Sequence, residues 1–445
     1  MELTEEKAVE TIAEDDKKQH KAEKRKKRKK RAKRFFLGFL SLVIVVAVLT
    51  AAANTVIYKS LLNKVSQFPA VDNEMLDFEY YDNGCMNIYT DKGLKIVQLT
   101  DVHIGAGWMC MNKDNMALNA VASMLAAEKP DLVIVTGDVG YPVPFQAGTF
   151  NNKTSITVFA RLMETLHVYW VYCFGNHDTE KTSYYTREQI VKFLDTDKYP
   201  HCLIQAGPED VDGVGNQIVN IVNSDGVITR TLFSMDSHAY AKGHIPAIRL
   251  RYDNLHQNQI DWYEKSVKEL VEKNKKTISG LDAEKQKKYE PLSENIPSSL
   301  FLHIPLTEYK DAWDEYFNNG MKDTENVKYN YGVVGEPDDL ICCGFGDDNM
   351  FETMEKLGST DSVFCGHDHL NNISLNYKGI NLTYGKSVDY LAYYGLWKLG
   401  SQRGCTIINI DKDGNIDFHP ECYYQDKYVS FYEKETVEMQ KLGNH

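Results

Sequence analysis

"DLVIVTGDVGY" runs from Asp131 to Tyr141. Leu132 to Thr136 form a short apolar and β-branched run, and Gly137 and Asp138 follow it at once. A run of this length without polar alternation marks a strand buried on both faces, as in the sheet of an α/β domain. Similar runs flank it. "LKIVQL" (Leu94–Leu99) comes before, and "HVYWVYCFG" (His167–Gly175) comes after. Between the first two, "NMALNAVASMLAAEK" (Asn115–Lys129) sets Leu118, Val121, Met124 and Leu125 at helical spacing. "VFARLMETL" separates the second from the third and also reads as helix. Strands alternating with helices predict an α/β domain whose first half is a largely parallel sheet.

The residues just past each strand carry the chemistry. "LKIVQL" leads into Asp101 and His103, and "DLVIVT" into Asp138. The third run leads into Asn176, His177 and Asp178. Further on, "SLFL" leads into His303, and "DSVFC" into His367 and His369. Any one of these blocks alone reads as a turn, a helix cap or a satisfied core histidine. Five in order, each at a strand end, point to one site, because ligands of open α/β sheets bind at the carboxyl ends of strands. Carboxylate oxygen and imidazole nitrogen suit Zn, Mn, Fe or Ni. No cysteine stands at these five points, which argues against a purely structural zinc site. Gly137, Gly175 and Gly366 precede the ligand types and allow close backbone approach.

The rest of the chain is less regular. Residues 216–235 read as two strands around "NSDG", and Asn258–Lys273 as an amphipathic helix. Residues 273–297 read as an exposed loop or helical excursion. "NISLNYKGINLTYG" reads as a hairpin turning at Asn376–Gly379, and "GCTIINI" as a further strand. Loops 140–155, 236–256 and 305–335 are expected to set specificity. Within the expected pocket, Asp236, His238, Asn371 and Arg403 are the candidate substrate contacts.

Net charge is −13, but residues 1–34 carry 14 Lys/Arg against 8 Asp/Glu, which leaves an acidic remainder. That balance argues against a nucleic-acid surface. Residues 35–58, "FFLGFLSLVIVVAVLTAAANTVIY", hold no charge and are long enough to span a bilayer. The basic cluster before them predicts a cytoplasmic N-terminus and an extracytoplasmic body. The alternative is a signal peptide cleaved near Thr50–Ala53, which would leave a secreted protein. Nine cysteines with no C-x-x-C pair give no zinc-knuckle spacing, and those inside apolar runs, such as Cys173 and Cys365, read as buried thiols. The expected organisation is a basic tail over 1–34, a transmembrane signal-anchor over 35–58, and a linker with an edge strand over 59–90. A catalytic domain over 91–425 and a C-terminal tail over 426–445 complete it. The oligomeric state is not legible.

The ordered set Asp101-x-His103, Gly137-Asp138, Gly175-Asn176-His177-Asp178, His303 and Gly366-His367-x-His369 resembles the calcineurin-like metallophosphoesterase superfamily. "FSMDSHAY", "HIPLTEY" and "VFCGHDHLNN" are similar to the branch related to purple acid phosphatases. The resemblance implies a four-layer α/β/β/α sandwich of two mixed sheets with flanking helices. It implies two divalent or trivalent metal ions (Mn, Fe or Zn). Asp101, His103, Asp138 and His369 would hold one, and Asp138, Asn176, His303 and His367 the other. His177 would assist the leaving oxygen, and Asp178 would orient His177. Tyr141 stands where purple acid phosphatases place an iron-ligating tyrosine. Because His103 is present, Tyr141 is expected to pack beside the site rather than ligate. The implied activity is hydrolysis of a phosphoester by hydroxide formed at the metals, with monoesters favoured over diesters. A non-enzymatic surface receptor or scaffold that kept the fold is the alternative from another class.

Overall fold

The structure, a computed structural model, describes residues 2–245, 249, 251–346, 348–393, 396, 402–423 and 427–428. The chain divides into two compact units, residues 1–56 and 57–445. The first is helical, and its backbone belongs to the helix Glu2–Val65. The described residues hold one helix long and apolar enough to cross a bilayer, and it contains the uncharged run.

Among the described residues, the second unit has fourteen strands in two mixed sheets. In chain order the first seven are β1 (Phe78–Asp82), β2 (Cys85–Tyr89), β3 (Leu94–Leu99), β4 (Leu132–Thr136), β5 (Trp170–Cys173), β6 (Gln217–Val222) and β7 (Ile228–Ser234). The other seven are β8 (Ser298–Phe301), β9 (Val327–Tyr331), β10 (Thr360–Cys365), β11 (Ser374–Tyr377), β12 (Ile380–Tyr384), β13 (Gly404–Ile410) and β14 (Ile416–Cys422). One sheet runs β1-β2-β6-β7-β8-β10-β12-β11-β9 and the other β14-β13-β3-β4-β5. Parallel pairing joins β3, β4 and β5, and likewise β7, β8, β10 and β12, so all seven strands point their carboxyl ends to one edge of the sandwich.

The layers follow from the two-residue period of a strand. In β4, Leu132 and Ile134 face between the sheets, while Val133 and Val135 face a helical layer. In β10, Phe364 faces inward and Val363 and Cys365 face the other helical layer. Strands covered on both faces must be apolar throughout, which is why the runs read as continuous. Helices Met111–Glu128 and Asn152–Leu166 cover the five-stranded sheet, and Gln257–Ser279 and Glu308–Asn318 the nine-stranded one. This is the four-layer α/β/β/α sandwich.

Some elements differ from expectation. Residues 59–65 continue the helix, and Leu61, Val65, Phe68 and Val71 are buried in the core, so the first part of the expected linker is packed structure. The segment 273–297 is mostly helical, with Ala283–Tyr289 following Gln257–Ser279. β9 lies inside the span read as loop 305–335, and β14 was not anticipated. Neither shows a buried apolar run: β9 alternates in exposure, and β14 is mostly half-exposed with Pro420 inside it. The hairpin β11–β12 turns at Lys378 and Gly379, both at positive φ. All nine cysteines are unpaired. Apart from Lys427 and Tyr428, the expected tail 426–445 lies outside the described residues.

Candidate metal centre

The loops after β3 and β4 zip together beyond the strand ends. Asp101 N donates to Gly137 O (3.1 Å), His103 N to Asp138 O (3.0 Å) and Ile104 N to Val139 O (2.8 Å). This path forces Asp101, His103 and Asp138 to φ of 51°, 53° and 53°, and His367 stands at 80°. Non-glycine residues in this region cost about 1–3 kcal/mol each and persist where the surroundings over-determine them. Here they gather at four of the expected ligands. The glycines answer a different need. A Cβ on Gly175 would lie 2.1 Å from Asp138 Oδ1, and one on Gly366 would lie 1.9 Å from Thr100 Oγ1.

Seven side chains converge at this edge, and all but the Asn are ionisable. Asp101, His103 and His369 each offer an atom within 4.8 Å of the others, as do Asp101, Asp138 and His303. Asp138 Oδ2 lies 3.4 Å from His103 Nε2 and 3.2 Å from His303 Nε2. Asp101 Oδ1 lies 3.6 Å from His103 Nε2 and 3.4 Å from His369 Nε2. His303 Nε2 is also 3.1 Å from Asn176 Oδ1 and 3.3 Å from His367 Nδ1. These spacings suit donors sharing a cation through bonds of about 2.0–2.2 Å.

Whether the residues fit two metals is tested by the atoms left over. Among the described residues, Asp101 Oδ1, Asp138 Oδ2 and both nitrogens of His103 are buried without a hydrogen-bond partner. A buried polar group without a partner costs about 1–3 kcal/mol and calls for an explanation. Here the unpartnered carboxylate oxygens face unpartnered or shared imidazole nitrogens. Asp138 Oδ2 sits between the two groups, as a bridging atom would. The donor set and the orphaned atoms fit a two-metal centre.

The surrounding residues fix the ligands' orientation. His303 Nδ1 donates to Thr136 O (2.8 Å), which turns Nε2 inward, and His369 Nδ1 pairs with Asp389 Oδ2 (3.1 Å). Such outer partners set the tautomer and basicity of metal-binding histidines. Asp389 is itself held by Leu391 N and Ala392 N. Sequence reasoning missed Asp389 because it follows no strand-end motif.

Electrostatics reflect the crowding. Burial opposes ionisation of Asp101 and Asp138, yet the neighbouring histidines hold both carboxyls well below the usual range. Burial likewise disfavours charged imidazole, but the carboxylates lift His103 and His303 to about 9 and raise His369. His367, buried beside His303, is pushed down.

His177 flanks the centre half-buried, its backbone N donating to Asp138 Oδ1 (2.8 Å). The expectation that Asp178 orients the His177 ring is corrected here. Asp178 is buried, and its carboxylate accepts from the backbone N of Asp138 (2.9 Å), Gly140 (2.7 Å) and Gly175 (2.8 Å). It ties the loop after β5 to the loop after β4. The His177 ring instead pairs through Nδ1 with Glu180 Oε1 at 2.6 Å. Tyr240 donates to the same oxygen (3.1 Å) and accepts from Asn176 Nδ2 (3.1 Å). Glu180 and Tyr240 were not anticipated, although Glu180 stands three residues past His177 in the same motif. Tyr141 packs its ring 4.7 Å from that of His103 and donates to Gln146 (2.8 Å).

The four expected substrate contacts are each held by other residues of the fold. Asp236 is ion-paired with Arg187 and accepts from Val214 N (2.8 Å). His238 pairs with Gln259 (2.8 Å) and stacks on His256. Asn371 Oδ1 accepts from Gly335 N (2.9 Å) and Glu336 N (3.2 Å), pinning that loop. Arg403 is 1% exposed, donates to Asp389 O (2.6 Å) and lies over the Tyr390 ring. Each is a buried or half-buried polar group already engaged within the fold.

The chain is similar over 325 residues to "Probable inactive purple acid phosphatase 14" of Arabidopsis thaliana, at 28% identity, covering 68% of this chain and 72% of that one. It is 30% identical over 314 residues to "Phosphatase DCR2" of Saccharomyces cerevisiae, covering 66% of this chain and 47% of the yeast protein. A crystal structure of a dimetal phosphatase from Danio rerio overlays 75% of this chain and 99% of its own length, with TM-score 0.44 and 11% identity. Residues 94–371 match the calcineurin-like phosphoesterase family from the first strand of the five-stranded sheet to the loop bearing His369, and the chain belongs to that family.

Proposed function

We propose that this protein is a membrane-anchored phosphoester hydrolase that works with two metal ions and favours phosphate monoesters. The observation that carries the reading is Asp138 Oδ2, buried without a hydrogen-bond partner between His103 Nε2 and His303 Nε2. The monoester preference rests on likeness to relatives named as phosphatases.

In this reading Asp101, His103, Asp138 and His369 hold one ion, and Asp138, Asn176, His303 and His367 hold the other. Two such ions, when bound, would lower the pKa of water and neutralise phosphoryl oxygens. The remaining work falls to the chain. Asp178 clamps the backbone that presents Asp138. Glu180 holds His177 Nδ1, which leaves Nε2 to carry a proton toward the departing ester oxygen. Tyr240 anchors Glu180 and Asn176 together, which couples the proton donor to a ligand loop.

Residues 35–58 are read as the anchor, and the basic cluster at 21–34 as the cytoplasmic flank. The rival, cleavage near residues 50–53, is decided by sequencing the N-terminus of the mature protein.

The enzymatic test uses the full chain in detergent with Mn, Zn or Fe. Metal-dependent hydrolysis of nitrophenyl phosphate, faster than that of the bis-nitrophenyl diester, is the expected result. The reverse preference selects a diesterase. A folded, metal-loaded protein inert toward both selects a non-catalytic module, a reading favoured by the word "inactive" in the plant relative's name.

A further inference from the structure

The distribution of exposed apolar side chains in residues 57–445 is uneven. Among the described residues there, thirteen large apolar or aromatic side chains are exposed, and four of them, Met75, Tyr81, Tyr89 and Phe317, lie off the loops around the metal centre. Five of the others ride on the loops that carry the ligands of the five-stranded sheet. Trp108 and Met109 follow His103, Phe145 and Phe150 follow Asp138, and Tyr184 follows His177. The other four are Ile245, Leu340, Phe345 and Tyr393, on loops leaving β7, β9 and β12 at the same edge. Scattered surface apolar residues need no explanation, but a collected patch marks a binding surface.

The patch is continuous with the metal centre. The Tyr393 ring lies 4.6 Å from that of His369, and Tyr252 lies 4.2 Å from His367. Tyr141 lies 4.8 Å from His177 on the third side. Aromatic walls therefore begin at the ligands and run outward to the rim. The rim is also preformed. A Cβ on Gly148 would come within 2.6 Å of the Trp108 ring, so the glycine makes room for that tryptophan. Phe150 and Tyr184 stack at 6.4 Å, and Tyr184 N donates to Phe150 O (3.2 Å). The Arg251 guanidinium covers Phe345 at 3.9 Å.

We propose that the substrate is an amphiphile: a phosphate monoester whose long aliphatic chain crosses the aromatic wall and lies on this rim. The inference rests on the hydrolase reading for the position of the phosphate. The chemistry of the site requires an anion at its base and an apolar body beginning within one ring of that anion. A bilayer surface could cover the outer rim but could not reach the base of the site, where the half-buried Tyr252 ring lies 4.2 Å from that of His367. A single chain tied to the phosphate can.

The test reads binding without turnover, on the full chain in phosphatidylcholine nanodiscs loaded with Mn, with empty discs as blank. Calorimetry compares butylphosphonate with octylphosphonate. The expected result is octylphosphonate bound at least about tenfold more tightly, because four added methylenes leave water. The F145S/Y184S variant, at side chains 89% and 65% exposed and so removable without opening the core, should bring the ratio toward one. Phe317→Ser, on an exposed residue away from the rim, should keep the ratio. Equal affinity for the two phosphonates overturns the amphiphile class and leaves the hydrolase reading standing. So does a ratio that survives F145S/Y184S. Quenching by brominated lipid that is lost in Trp108→Phe, with equal phosphonate affinities, makes the rim a bilayer contact and overturns the proposal. A tenfold ratio in a protein that hydrolyses neither nitrophenyl ester keeps the amphiphile as ligand and removes the hydrolase reading instead.

Discussion

The same strands end in two very different surfaces. At their amino ends, residues 74–77, 88–95, 131, 223, 224, 226, 409 and 410 line a cavity of about 990 Å3. Its polar groups are matched: Asp131 Oδ2 accepts from Lys95 N (2.7 Å), Asn223 Oδ1 from Val227 N (3.0 Å), and Lys92 pairs with Glu74 (2.9 Å). At their carboxyl ends, carboxylates and imidazoles crowd together at positive φ with atoms left unpartnered. A cavity marks the first surface. Unpaid desolvation and backbone strain select the second, because a fold retains such penalties only where something offsets them.

Exchanging one carboxylate for its amide at each end tests this contrast most directly. Asp138→Asn should empty both metal positions and reduce phosphoester turnover to background, read by metal analysis beside the assay. Asp131→Asn should leave metal content and turnover within about twofold of the parent protein, given that surface substitutions rarely act at a distance. Equal losses at both ends would break the contrast.

A sharper comparison lies inside the metal edge, between holding metal and moving a proton. His177→Ala should keep the metals and lower turnover by about 10²–10⁴-fold, the usual range for a lost general acid. Glu180→Gln, which keeps a hydrogen-bond acceptor beside His177 without the charge, should lower turnover by about tenfold with metal content unchanged. Loss of metal in either variant would move these two residues into the ligand framework.

The pH response separates empty from filled sites. Burial works against charge on His103 and His303, and the carboxylates around them still raise both to about 9, above the ordinary 6.5. A histidine raised on folding stabilises fully below about pH 6.5, and that contribution disappears as pH climbs through about 9. With EDTA present, the melting temperature should therefore fall by ~5 °C more between pH 6.5 and 9 than it does in metal-loaded protein. Metal needs neutral imidazole, so its affinity should rise over the same interval. Parallel curves with and without metal would mean that these histidines do not titrate with the carboxylates as described.

Much of this was readable from residue order, for a physical reason. Strands buried on both faces have to be continuous apolar runs, so Leu94–Leu99 and Leu132–Thr136 stood out and their ends could be located. Ligands at consecutive strand ends are local in sequence even though they meet only in space. Strands without that signal were missed: β9 alternates in exposure and β14 is mostly half-exposed. The partners of the ligands were missed for a related reason. Asp389 reaches His369 across a loop, and Tyr240 reaches Glu180 over sixty residues, and neither distance leaves a spacing pattern. Asp178 and Glu180 were both visible in "GNHDTE", but only folded geometry shows which carboxylate faces the ring and which faces the backbone.

The smallest effect, and the last test, concerns residue types that look functional and serve the framework. Asn371 holds the backbone N–H groups of Gly335 and Glu336, and its Nδ2 donates to Leu340 O. Glu336 Oε1 in turn accepts from Leu370 N (3.1 Å), so this clamp braces the loop between His369 and β11. Asn371→Ala leaves two donors and an acceptor without their partner. It should destabilise the protein by about 1–3 kcal/mol in denaturant unfolding. A residue that touched phosphate would instead raise KM and leave stability unchanged. The clamp predicts the opposite: a lower unfolding midpoint with KM for nitrophenyl phosphate unaltered, because the amide faces the backbone of the loop after β9.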